Sequence, residues 1–123
     1  MKKSRIAMRL GCAFGFTGVL LGAFGAHGLK DLLEAGGRVD TWEKAVFYHL
    51  VHAVVLVAIS KEGKNPPPVA CWGLGAGILL FSGSLYLLCL TGLKVFGAVT
   101  PLGGLAFLVA WAALGFNRSD EGE

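Results

Sequence analysis

Charge is scarce in this chain. Only 15% of its 123 residues are Asp, Glu, Lys or Arg, where a soluble domain carries about 25%. That shortage excludes an ordinary water-soluble fold, and a net charge of +3 spread along the chain excludes a nucleic-acid-binding surface. Cysteine is nearly absent too. Cys12, Cys71 and Cys89 lie in apolar runs with no C-x-x-C spacing, which excludes a zinc knuckle or a redox pair and leaves them as buried, reduced packing residues. No G-x-S-x-G, Walker A or Ser-His-Asp set with an acid at the right depth is present, so hydrolase and nucleotide chemistry have no motif to stand on. The run Gly73-Leu-Gly-Ala-Gly77 lies inside an apolar stretch and reads as helix packing rather than phosphate binding.

Long apolar runs and glycine are abundant. Hydrophobic residues make up 54% of the chain, and there are 19 glycines, a usage common in transmembrane helices. Four apolar segments stand out, at about 6–26, 42–60, 69–93 and 96–116. Each is close to the ~20 residues that cross a hydrocarbon core of about 30 Å. The fold class expected is all-α integral membrane, an up-down bundle of four transmembrane helices in a single domain over 1–123. The first run follows Lys2, Lys3 and Arg5 as a signal peptide would. It exceeds the roughly 7–15 apolar residues of a signal h-region and is read as a retained first span.

Gly11, Gly15, Gly18, Gly22 and Gly25 recur at three- and four-residue steps along the first segment. They form a smooth face for a neighbouring helix, inside one bundle or, as a sharper alternative, in a homo-oligomer. In the linker 28–37, Leu29, Leu32 and Leu33 share one helical face, which predicts a short interfacial helix closed by Gly36 or Gly37. Asp40 and Glu43 have capping-box spacing, which starts the second helix near Thr41, with Trp42 as an interface anchor. Pro66, Pro67 and Pro68 mark an extended loop. Gly73, Gly75 and Gly77 give the third segment its own small face. In the fourth, Thr100 reads as N-cap with Pro101 at N1, the alternative being a kinked helix, and 117–123 reads as a polar tail.

The second segment is the one with ionisable groups well inside it. Depth counting gathers His27, Tyr48, His49, His52, Ser82 and Tyr86 in the outer half of the bilayer, with Thr100 opening helix four nearby. Tyr48 and His52 share a face at i, i+4, and His49 and His52 share one at i, i+3. A titratable residue within a span is a functional candidate. A neutral histidine bonded to Tyr86 or Ser82 would equally pin two helices together. A metal site would need His27, His49 and His52 to converge, and no Asp, Glu or Cys is placed to join them. No metal or cofactor is therefore expected. No polar file continues from His52 toward the terminal side, which counts against a proton path.

Several stretches together resemble a known family. Gly22-Ala-Phe-Gly-Ala-His27-Gly-Leu29, then Trp42, Tyr48 and His52-Ala53, then Leu80-Phe-Ser-Gly-Ser-Leu-Tyr86, then Val99-Thr-Pro-Leu-Gly-Gly104 are similar to the domain of unknown function 423 family, which includes transmembrane protein 256. The resemblance covers about 6–116 and implies a small membrane protein with four helices and no established activity or site. After the tyrosine of helix two the family pattern often has glutamine, where this chain has His49.

The expected function is a non-enzymatic structural or accessory membrane component whose polar residues form an internal clasp. The alternative is a binder of a lipid, quinone or other apolar ligand in an outer-leaflet pocket near His52 and Tyr86, and third comes a small oligomeric transporter or channel. Membrane lipids are the expected partners, with no nucleic acid and no protein partner indicated by a motif. Four spans put both termini on one side, with Lys2, Lys3, Arg5, Arg9, Lys61, Lys64 and Arg118 there against Lys30, Arg38, Lys44 and Lys94 opposite. The positive-inside rule makes the terminal side cytoplasmic, and the short polar termini favour a bacterial inner (plasma) membrane.

Overall fold

A computed structural model describes residues 2–61 and 65–121, with side chains placed over 4–61 and 65–116. Residues 62–64 of the expected proline loop, residues 122–123, and the side chains of Lys2, Lys3 and Arg118 lie outside the described residues. Helix α1 is Lys2–Ala26, α2 Lys30–Ala35 and α3 Val39–Ser60. Helix α4 (Pro68–Gly77), a π-helical segment (Ile78–Ser82) and α5 (Gly83–Thr91) run on as one rod, followed by α6 (Val95–Glu121). Four stretches are long and apolar enough to cross a membrane: Ser4–Ala26, Val39–Ser60, Pro68–Thr91 and Val95–Phe116. The chain is an all-α, four-span membrane protein, with the short α2 joining the first two spans as the linker pattern predicted.

The spans pack in chain order. Helix α1 lies along α3, α3 along the third span, and the third span along α6. Among the described residues, neither α1 nor α3 brings a Cα within 8 Å of one in α6. The bundle is therefore open at that side, and what crosses from α3 to α6 is side chain. Glycine sets the close approaches. A Cβ on Gly11 would meet Val57 at 2.7 Å, one on Gly18 would meet Leu50 at 2.6 Å, and one on Gly25 would collide with the Trp42 indole. Most of the first segment's glycine face is thus taken up by α3 of the same chain. On the other side, a Cβ on Gly77 would collide with the Phe107 ring, and one on Gly103 with the backbone of Phe81.

Two apolar clusters divide the interior. Toward the terminal side, Ala7, Leu56, Ile59, Ala70, Leu74 and Ala110 form part of one. Toward the α2 side, Leu33, Trp42, Ala45, Leu85, Leu88 and Cys89 form part of the other. Phe81 packs against both.

Several local expectations need correction. Helix α3 starts at Val39, not Thr41, with no side-chain cap bond. Gly37 turns the chain at φ 67° and the Trp42 N–H already bonds to Arg38 O at 3.0 Å, so Asp40 falls inside the first turn. Trp42 is no interface anchor. It is 2% exposed, because Gly25 leaves room for its indole. Helix α6 begins at Val95 and carries Pro101 in its interior, so Thr100 is not its N-cap. Pro101 supplies no N–H for the carbonyl of Gly97, and the preceding turn is held instead by Phe96 packing into the α2-side cluster and by Thr100 bonding to Ser84. The helix also continues to Glu121, where a polar tail was expected. The three cysteines form no disulfide, but Cys12 is exposed on α1 rather than buried.

The π segment was not foreseen. Its wide turn adds a residue to the helix and resets the face that follows. Here the Gly83 N–H bonds to Ile78 O, and the turn aims the fully buried Ser82 at α3, where its hydroxyl donates to Ala45 O at 2.7 Å.

Candidate functional site

A polar belt lies between the two apolar clusters. Hydrocarbon offers no water to a buried polar group, so each must find a partner inside the protein. His49 is 4% exposed and bridges three spans. Its Nδ1 is 2.8 Å from the Tyr86 hydroxyl and its Nε2 is 3.2 Å from Thr17 Oγ1. The Thr17 hydroxyl is 3.1 and 3.0 Å from the carbonyls of Ala13 and Phe14 and spends its one proton there. Its oxygen then accepts from His49 Nε2–H, and the Tyr86 O–H donates to the bare Nδ1. In this assignment every ring nitrogen and both hydroxyl protons are used.

His52, also 4% exposed, has the opposite tautomer. Its Nδ1 lies 2.7 Å from Tyr48 O, and a carbonyl only accepts, so Nδ1 carries the proton. The bare Nε2 accepts from the Trp111 indole N–H at 3.1 Å. The imidazole stacks on Phe107 with centroids 3.7 Å apart and planes 10° from parallel. This is the bridge between α3 and α6, made where their backbones stay apart. Further bonds complete the belt. Trp42 Nε1 donates to Leu21 O at 2.9 Å, and Ser84 and Thr100 share a hydrogen bond at 2.6 Å.

Of the residues singled out from the sequence, Tyr86, His49 and Ser82 come together with Thr17 and Trp42 on the α1–α3–third-span side. Tyr48 and His52 face the α3–α6 side. His52 bonds neither Tyr86 nor Ser82 but Tyr48 and Trp111: the step of three residues still turns it about 60° around α3 from His49, and the two imidazoles enter different seams. His27 is exposed at the turn after α1 and does not join the belt. Thr17, Phe107 and Trp111 were missed. A threonine and a tryptophan well inside apolar spans were the available signals, since both carry a donor that lipid cannot satisfy. Among the described residues, no three His, Cys, Asp or Glu side chains group to hold a metal ion.

Two grooves border the belt. One, about 620 Å³, opens between α3 and α6 and is lined by Tyr48, His52, Phe81, Pro101, Phe107 and Trp111 among others. A smaller one, about 310 Å³, lies over His49 and Tyr86 on the opposite seam. The one pocket near both His52 and Tyr86 expected from the sequence is therefore divided between two seams.

Four apolar spans held by an internal polar belt define a small helical membrane protein. Over residues 21–104 the chain matches the family described as protein of unknown function (DUF423). It is 40% identical to the UPF0382 membrane protein YwdK of Bacillus subtilis, over 87% of this chain and 90% of that one. It is 42% identical to a UPF0382 membrane protein of Staphylococcus saprophyticus, over 89% of this chain and 93% of that one. For the UPF0382 membrane protein of Haemophilus influenzae the identity is 37%, over 84% and 85%. The chain belongs to this family of membrane proteins of unknown function. No solved structure matches it.

The bridge through His49 can be measured as a coupling. Tyr86→Phe, His49→Leu and the double variant, unfolded in mixed detergent micelles, should show a coupling energy of about 1 kcal/mol, within the range of interhelical bonds in membranes. Additive losses would mean that the two side chains do not bond. His49→Gln, whose amide offers both a donor and an acceptor, should lose less than His49→Leu.

Proposed function

We propose that this protein is a non-enzymatic structural or accessory component of the membrane, with the polar belt as its internal clasp. The observation that carries this reading is the saturation of the belt. Both nitrogens of His49 and of His52 are used by protein partners, so neither ring offers a lone pair or proton to a substrate without first breaking a bond within the protein, and three of the four bonds join different helices. A general base or metal ligand needs the reverse. The belt also supplies what apolar packing does not. Lipid tails are as apolar as leucine, so spans associate through close packing and hydrogen bonds. We further infer that both termini face the cytoplasm of a bacterial inner membrane, from the excess of Lys and Arg on the terminal side. A reporter fused after Glu123 should be active only if it is of the type that works in the cytoplasm. Activity of an exported-only reporter at that position would reverse the orientation.

A second reading, a binder of a lipid, quinone or other apolar ligand, is favoured by the groove between α3 and α6. His52→Ala separates the two. It removes a ring stacked on Phe107 and a bond to Trp111, and should cost about 2–3 kcal/mol of stability in detergent. Under the clasp reading the loss is the same with or without added quinone or lipid. Unchanged stability of the bare protein, with loss only of ligand-induced stabilisation, would favour the binding reading.

A further inference from the structure

The outer face of α1 and α3 carries a groove that meets the belt only at Trp42. Its mouth, about 530 Å³, lies beside α2, with Lys30, Glu34 and Glu43 at the rim and Trp42 and Val46 in its wall. A second hollow, about 690 Å³, continues along the same two helices past Gly15 to Gly11, bounded by Phe16 and Val54. Leu50 lines both, so the two form one track from the interface into the hydrocarbon. From the level of Ala26 to Gly11 the track runs roughly 22 Å at 1.5 Å per residue, longer than the ~15 Å hydrocarbon depth of one leaflet. Gly15 keeps it open, since a Cβ there would meet nothing within 4 Å.

The rim is chemically specific. Lys30, Glu34 and Glu43 are exposed, and among the described residues none of the three is ion-paired. One cation and two carboxylates above an apolar track match a zwitterionic headgroup. Lys30 would meet a phosphate, and the carboxylates a primary ammonium, which donates hydrogen bonds to both. An anionic headgroup without that ammonium would meet two uncompensated carboxylates.

We propose that this groove is a binding site for one phospholipid with a primary-ammonium headgroup, its acyl chain lying along Leu50 and Gly15. The site lies on the outer face of α1 and α3, lined by neither His49 nor His52, and goes beyond the function proposed above. The test is native mass spectrometry of the full chain after reconstitution in vesicles of equal phosphatidylethanolamine and phosphatidylglycerol, with melting temperature measured on each variant. The expected result is one retained phosphatidylethanolamine per chain, preferred over phosphatidylglycerol by roughly fivefold. Glu34→Gln with Glu43→Gln should erase the preference. Gly15→Leu should fill the track and lose the lipid while the melting temperature holds. Equal retention of both lipids by the wild-type protein would overturn the proposal and leave annular lipid only. So would retention indifferent to Gly15→Leu, or a wild-type dimer that Gly15→Leu makes monomeric, which would make a second copy the occupant.

Discussion

The ring of His49 holds α1, α3 and the third span at one point, and it does so in surroundings that offer no water. Thr17 on one side and Tyr86 on the other take its two nitrogens. An imidazole left unbonded in hydrocarbon would cost several kcal/mol, so the three helices are constrained to one mutual height and rotation. His52 repeats the arrangement one turn deeper with Tyr48, Trp111 and Phe107, and so attaches a helix whose backbone stands clear of α3. The sum is modest per bond, about 0.6 kcal/mol on average, but the bonds fall on every seam of the bundle.

Packing and polarity depend on each other here. Trp42 reaches Leu21 O only because Gly25 has no side chain. Ser82, the last residue of the π segment, reaches Ala45 O from within that wide turn. The indole and the hydroxyl both close on backbone carbonyls already engaged in helices, a use of the second carbonyl lone pair that needs no extra polar residue. Two of the cross-links thus run from a single donor on one helix to backbone on the next.

The four spans, the short α2 and the family were legible in the sequence, because apolar length, Leu29, Leu32 and Leu33, and the separated motifs are local signals. So was the glycine face of α1. The polar residues of helix two were recognisable as a group, but their partners were not. Depth counting put His52 level with Tyr86, whereas rotation about α3 gives Tyr86 to His49. The π segment shifts the third span by a residue and has no sequence mark among Ile78, Leu79, Leu80 and Phe81. Pro101 misled in the usual direction: a helix-breaking residue was read as a helix start, when Phe96 and the Ser84–Thr100 bond hold the turn before it. Trp42 misled through its habit of lying at interfaces, and the glycine that buries it lies 17 positions away in the chain.

The clasp depends on two histidines held as opposite neutral tautomers by internal partners. The most direct measurement is nitrogen-15 NMR of the imidazoles, with the protein labelled at histidine and placed in a lipid bilayer. His49 should show its proton on Nε2 and His52 on Nδ1, each assigned by the loss of its signals in His49→Gln and His52→Ala. The same tautomer in both rings, exchange between tautomers, or nitrogen shifts of a metal-bound imidazole would contradict the clasp.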